Sequence, residues 1–390
     1  MSNVNIVMLC LRQRLHKRQP MAAAAAVALR APGAGRMRAW RVHAYGALAE
    51  LRLDEARVPP LRRPRDVLVR VRAASLNPID VAMIGGYGAR ALNTLRALDG
   101  ADGVEFPLVP GRDFVGTVER AGPAARLRPG QRVWGVVPPH CQGSHADFVV
   151  VKDEWAGVAP RALEDAAAGG ALYAALTACA ALRAAALGPR PRVLLLGLGG
   201  VGQAALQLLV ARGAHVTVGC SGELAGLAER LGAAVVLDRH APEYDHQLEA
   251  CSPYSAVLDC AGLGGEEAAA RRWRFARYVT LSTPLLRQMD ARGLAAGALC
   301  AGAALLAQSA RVAGAGAAGA LPPHVRWAFF SPSAADIELL RRLAERGQFA
   351  VCVERVWAWW RAAEAFERAA RGGARGKLLL DWTAPPPQPA

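Results

Sequence analysis

The chain has 390 residues, 53% of them hydrophobic, and a formal net charge of +15, enough to bury a large core divided between two domains. Only three of its 47 basic residues are lysine (Lys17, Lys152 and Lys377), so the charge reflects arginine spread over the whole chain. No basic block is interleaved with aromatics, which sets nucleic-acid binding aside. Eight cysteines are scattered without a C-x-x-C pair, which excludes a disulfide framework or zinc knot and suits a reducing compartment.

The first acidic residue is Glu50. Before it stand Arg12, Arg14, Lys17, Arg18, Arg30 and Arg36 with an alanine run, the pattern of a mitochondrial presequence over residues 1–36, with the matrix as destination; a disordered extension and a secretory signal on Ala22–Leu29 are the alternatives. From Met37 to residue 163, short apolar runs are broken by Gly and Pro: "MRAWRVHAYG", "DVLVRVRAASLNP", "DFVGTVERAG", "QRVWGVV" and "HADFVVV". They predict a compact, mostly β domain. Residues 164–330 open on a helical stretch. Strand-like "RVLLLG", "HVTVGC", "AAVVLD", "SAVLDCAG" and "RYVTLST" follow, with helices at Gln203–Arg212 and Glu223–Leu231. That alternation predicts a doubly wound parallel sheet, hence an α/β protein. The apolar run from Leu294 to Leu321 holds Gln308, Arg311 and several glycines, and reads as a hairpin or buried loop rather than a membrane span. Residues 331–384 read as helix, strand, helix and a last strand, "GKLLLDW", returning to the first domain. Residues 385–390, "APPPQPA" with its lead-in, read as a disordered tail.

Gly197, Gly199 and Gly202 form G-x-G-x-x-G between a predicted strand and a predicted helix. Glycines there permit a tight turn, close approach to a pyrophosphate and packing of helix on strand, with the helix N-terminus facing the phosphates. The alternative is a turn and nothing more. An acid at the end of the second strand would grip the ribose 2′-hydroxyl of NAD. The sequence there is Gly219-Cys220-Ser221-Gly222. Ser221 and Arg239 suit a 2′-phosphate instead, so the reading favours NADPH; Ser221 also suits a helix N-cap.

A β-rich domain, a doubly wound domain and a returning tail resemble the medium-chain dehydrogenase/reductase superfamily over residues 37–383. Its zinc enzymes place a Cys and a His where this chain has "AASLNPID" and "GRDFVG"; Asn77 and Arg112 cannot replace those ligands. His140, Cys141 and His145 in "PPHCQGSH" read as a polar loop, so no metal site is expected. "SLNPIDVAMIGGYGARALN", "FPLVPGRDFVG", "YVTLSTP", "VRWAFF" and "GGARGK" resemble the zinc-free quinone oxidoreductase branch, with its GroES-like catalytic domain and Rossmann domain.

The resemblance implies NADPH contacts at Gly199, Gly200 and Val201 for the pyrophosphate, with Ser221 at the 2′-phosphate. It puts Leu281 at the nicotinamide half, and Ala328, Phe330, Gly373, Ala374 and Arg375 closing over the cofactor. It also implies a mitochondrial address, a link to ubiquinone metabolism, a reticulon membrane protein among the partners, and a homodimer. Three departures stand out: "GLGGVG" is one residue shorter than the branch's loop, Arg239 stands for a Tyr, and Cys260 stands for an Asn. Reducing a quinone or enone needs hydride delivery and donors for the charge developing on oxygen. Asn77, Tyr87, Tyr173 and Thr177 are the candidate groups; Asn77 shaping the turn before Pro78, and Tyr87 as packing, are the plainer readings. The alternative function is a non-catalytic NADPH-binding interaction platform.

Overall fold

The computed structural model describes residues 33–100, 105–314 and 322–387. Residues 1–32 of the expected presequence, and 388–390 of the expected tail, lie outside them. The strands in chain order are β1 (Arg36–Val42), β2 (Leu51–Arg57), β3 (Asp66–Leu76), β4 (Asp113–Ala121), β5 (Arg132–Val136), β6 (Phe148–Lys152), β7 (Ala156–Val158) and β8 (Arg192–Leu196). They continue as β9 (His215–Cys220), β10 (Val235–Asp238), β11 (Ala256–Asp259), β12 (Arg277–Thr280), β13 (His324–Trp327), β14 (Val353–Ala358) and β15 (Lys377–Asp381).

One compact unit holds the described residues up to Tyr173 together with 332–387; the other is Ala174–Ser331. The changeover falls inside the helix Leu172–Ala185, later than the expected boundary at 164. The reason is packing: the short helix Asp165–Gly169 lies on β3 and β4, where a Cβ on Gly169 would stand 2.7 Å from the Ala73 carbonyl oxygen.

In the first unit β1 and β2 pair antiparallel, and a larger sheet runs β14-β15-β3-β4-β5-β7, with β6 also on β3. The long strand β3 serves three partners. Its first half (66–70) pairs β6, its second half (73–76) pairs β15, and β4 runs along it with register shifts at Leu68/Val69 and Val71/Ala73. Such irregularities bend and twist a strand, which lets one strand pass from one neighbour to another. Gly116 on β4 allows the close approach, since a Cβ there would lie 2.2 Å from the Arg70 carbonyl oxygen. The core beneath contains Val69, Phe114, Trp357, Trp359, Phe366 and Leu380. Beyond the last strand, the Pro385 carbonyl accepts from Trp360 Nε1 at 3.2 Å, so the expected loose tail is anchored at its first residue.

The second unit is a six-stranded, wholly parallel sheet of order β10-β9-β8-β11-β12-β13. Val193–Leu196 and Ala256–Asp259 are buried throughout, as central parallel strands covered on both faces must be. The sixth strand, β13, runs from His324 into "VRWAFF", beyond the five strands expected. The expected hairpin or buried loop at Leu294–Leu321 is corrected: Leu294–Ala313 is one 20-residue helix, with Leu299 76% and Leu306 73% exposed. Alanine and leucine are strong helix formers, and Gly297 lets the helix approach Met289 of its neighbour, the helix Leu285–Arg292. By length and composition this helix alone among the described residues could cross a membrane.

Candidate functional site

The order of the parallel strands reverses at β8 and β11, and ligands of such sheets bind beyond the carboxyl ends of the strands at that reversal. Gly197 leaves β8 at φ +87°, a left-handed backbone that glycine alone adopts without strain, and its N–H donates to the Gly219 carbonyl at 2.8 Å. Gly199 caps the helix Gly200–Val210 with extended backbone, and a Cβ on it would meet nothing within 4 Å. A Cβ on Gly202 would stand 2.1 Å from the Gly197 oxygen. So Gly197 makes the turn, Gly202 packs helix on loop, and Gly199 opens on free space in front of the amides of Gly200 and Val201. This cradle fits a pyrophosphate at a helix N-terminus.

Each remaining cofactor candidate of this unit follows a strand end. Ser221 follows β9, Arg239 follows β10, Cys260 follows β11, Leu281 follows β12, and Ala328 and Phe330 follow β13. Ser221 occupies the N-cap of the turn Gly222–Leu224 but makes no side-chain capping bond, so the capping alternative is corrected. Arg239 is exposed, with Nε 3.2 Å from His240 Nε2. Cys260 is carried by a loop that Asp259 organises. The Asp259 carboxylate accepts from the amides of Ala261, Gly262, Leu263 and Gly264 at 2.7–3.1 Å, and from Tyr278 Oη and Thr280 Oγ1 at 2.8 and 3.2 Å. Burial pushes the Cys260 thiol far up and holds it protonated.

Sequence reasoning passed over Asp238. It ends β10 opposite Cys220, and a Cβ on Gly222 would lie 2.8 Å from its Oδ2, so a carboxylate stands beside Ser221–Gly222. A carboxylate absent from the end of β9 is thus present on the neighbouring strand, a position that only strand pairing reveals.

In the β-rich unit the sequence "SLNPID" ends β3 and begins the helix Pro78–Ile84, with Asn77 and Asp80 forming a capping box. Asn77 is buried. Its Nδ2 donates to Ser75 Oγ and Asp113 Oδ1, both at 3.1 Å, and its Oδ1 accepts from Lys377 Nζ at 2.7 Å. Asp113 Oδ2 accepts from the Tyr173 amide at 3.2 Å. Burial, with the charges of Asp80 and Asp113, pushes the Tyr173 hydroxyl well above its ordinary range, and Tyr87 interacts with it electrostatically. Asn77, Tyr87 and Tyr173 therefore share one neighbourhood, to which the structure adds Ser75, Asp113 and Lys377. Thr177 is buried in the other unit. Gly373, Ala374 and Arg375 form the turn before β15, with Gly373 at φ +64° and the Arg375 amide donating to Glu354 Oε2 at 2.6 Å.

Arg112 is wholly buried. It donates to the carbonyls of Val109, Pro138 and Cys141 at 2.9–3.0 Å and to Asp80 Oδ1 at 3.3 Å, while Asp80 also takes the amides of Gly111 and Asn77, both at 2.8 Å. A buried guanidinium held by three carbonyls and a carboxylate is fixed there and repels a dication.

His145 does not join His140 and Cys141. It is buried with Nε2 3.0 Å from the Ser75 oxygen, and burial lowers its pKa. The ligand atoms of Asp99, His140 and Cys141 do lie within 4.8 Å of one another. Lys152 Nζ and Arg63 Nη2 hold the Asp99 carboxylate at 3.2 Å each. Burial raises the Asp99 carboxyl, but those two cations more than offset it; burial also pushes the Cys141 thiol up to about 11. A metal would have to displace both cations and ionise that thiol.

An alcohol dehydrogenase GroES-like domain model matches residues 63–182 and a zinc-binding dehydrogenase model matches 231–380. A quinone oxidoreductase structure from Coxiella burnetii superposes with a TM-score of 0.69 at 24% identity, covering 89% of this chain and 99% of that one. These define a medium-chain dehydrogenase/reductase. Among curated proteins, the mitochondrial NAD(P)H oxidoreductase RTN4IP1 of Drosophila melanogaster is 39% identical, over 95% of this chain and 96% of its own. Its Homo sapiens counterpart is 37% identical, over 88% and 89%. The chain belongs to this RTN4IP1 family of NAD(P)H oxidoreductases.

Proposed function

We propose that the protein is a mitochondrial NADPH-dependent reductase of a quinone or enone that works without zinc. The observation that carries this reading is Arg112: a buried guanidinium bound to three carbonyls and Asp80 where the superfamily's zinc enzymes have a ligand, with Asn77 at the other ligand position. Bound NADPH would supply the hydride. The chain's own residues would hold the pyrophosphate at Gly199–Val201, leave room for the 2′-phosphate at Ser221 and set a cation there in Arg239. Gly197, Gly202 and Cys260 would shape the floor, Leu281 would lie by the nicotinamide half, and Ala328, Phe330, Gly373, Ala374 and Arg375 are the residues proposed to cover the cofactor. Asn77, Tyr87, Tyr173 and Thr177 would position the carbonyl. The mitochondrial address, in the matrix, draws on the relatives' printed names and on the acid-free, arginine-rich N-terminal sequence; a homodimer and a link to ubiquinone are part of the same proposal. A reticulon partner draws on the name of a Caenorhabditis elegans relative, "Reticulon-4-interacting protein 1, mitochondrial".

A second cofactor reading, NADH, draws on Asp238, whose carboxylate beside Gly222 could take a ribose 2′-hydroxyl. The test is cofactor oxidation over a panel of small quinones and enones, with dissociation constants for both cofactors. NADPH turnover that disappears in Gly200→Asp, with NADPH binding weakened roughly 100-fold, supports the proposal. Tight NADPH binding without turnover on the whole panel points to an interaction platform, and equal affinity for NADH and NADPH removes the 2′-phosphate assignment.

A further inference from the structure

In a chain that has kept only three lysines, Lys377 lies buried at the start of β15. Its stem is confined, since a Cβ on Gly170 would stand 3.2 Å from Lys377 Cβ and 3.3 Å from Cε. Its ammonium donates to Asn77 Oδ1 at 2.7 Å, and the nearest carboxylate oxygen, Asp113 Oδ2, is 4.0 Å away, beyond hydrogen-bond reach. That carboxylate is committed elsewhere, to Ser75 Oγ, Asn77 Nδ2 and the Tyr173 amide. An ammonium carries three N–H donors, and among the described residues only one of these has an acceptor. Buried donors find acceptors, so the remaining N–H groups call for an oxygen that the described residues do not supply.

We propose that Lys377 is a catalytic residue whose free N–H groups bind the substrate's carbonyl oxygen and take up the negative charge that develops on it. This rests on the reading of the protein as a quinone or enone reductase. In the step, the substrate's electrophilic carbon would form a C–H bond with the hydride, two electrons and a proton taken together, that NADPH would supply when bound, leaving NADP+. The conjugated π pair shifts and one electron pair comes to rest on the carbonyl oxygen, held by the ammonium. A proton from water then completes the reduced product. Asn77, with Oδ1 on Nζ and its amide donors on Ser75 and Asp113, is the positioning residue that aims the ammonium.

The test uses the full chain with saturating NADPH and menadione as the quinone. Lys377→Ala is expected to lose roughly 100-fold in kcat, as for removal of one oxyanion donor, with the NADPH dissociation constant unchanged and activity restored by added ethylammonium. A kcat within threefold of the parent, or a loss that follows NADPH binding and resists ethylammonium, overturns the proposal. A second arm needs no variant: lysine labelled with 15N at Nζ gives three side-chain signals, and p-nitrophenolate added with NADP+ should shift that of Lys377 saturably. If it does not, Lys377 binds no oxyanion. If it does while no quinone or enone is reduced, the oxyanion site stands and the reductase reading falls.

Discussion

Arg112 holds three carbonyls and Asp80 in a place closed to water. Removing one partner of a buried pair leaves the other charged and unpaired, so Arg112→Met should cost about 3–5 kcal/mol in urea unfolding, without any gain of zinc by elemental analysis. His145 makes a second residue-scale prediction. Burial lowers its pKa in the fold, so the folded state binds fewer protons than the unfolded one, and His140 shifts in the same direction for the same cause. Stability is therefore complete above the unfolded value of about 6.5 and is lost as pH falls from there, by at most about 1.4 kcal/mol per pH unit for each histidine. Unfolding midpoints between pH 7 and 5.5 should show that fall, with a shallower slope in His145→Phe. Around the ribose, Ser221→Ala with Arg239→Ala should narrow the preference for NADPH, and Asp238→Asn should widen it, as measured by the ratio of the two dissociation constants. At this scale short motifs picked out Asn77, Ser221 and the glycines as candidates. Lys377 and Asp238 escaped because each reaches its place through strand pairing, β15 on β3 and β10 on β9, and no local pattern announces that.

The element scale separates glycines by what a methyl group would meet. Gly202→Ala collides with the Gly197 carbonyl and should lower Tm by several degrees, whereas Gly199→Ala meets open space. Gly199→Ala should therefore melt with the parent protein and bind NADPH roughly tenfold more weakly, its methyl group occupying the cradle; calorimetry and titration distinguish the two. Most strands were readable because their periods and turn residues are strong, whereas β2, β7 and β13 were not expected. The helix Leu294–Ala313 was misread because alanine, glycine and leucine without polar alternation give no sign of which face is covered. Its exposed Leu299 and Leu306 make no core contacts to lose, so Leu299→Gln with Leu306→Gln should change unfolding free energy by less than about 0.5 kcal/mol.

At the scale of the whole molecule, the chain leaves its first unit at Tyr173, completes a parallel sheet, and comes back at Pro332 to finish what it began. The parallel sheet could be inferred from alternation alone, and the return from the final helix-strand-helix-strand pattern. The place of the last strand in the middle of a sheet could not. β15 sits between β14 and β3, so β3 keeps an unpaired edge until the last strand arrives. Asn77 and the lysine that completes its hydrogen bonds are 300 positions apart. At roughly 5–20 residues per second, a ribosome takes about 15–60 s to travel that distance. Through that interval the second half of β3 lacks its β15 partner, whereas the parallel-sheet unit has its whole sequence once Ser331 has been made, before Lys377, and can fold first.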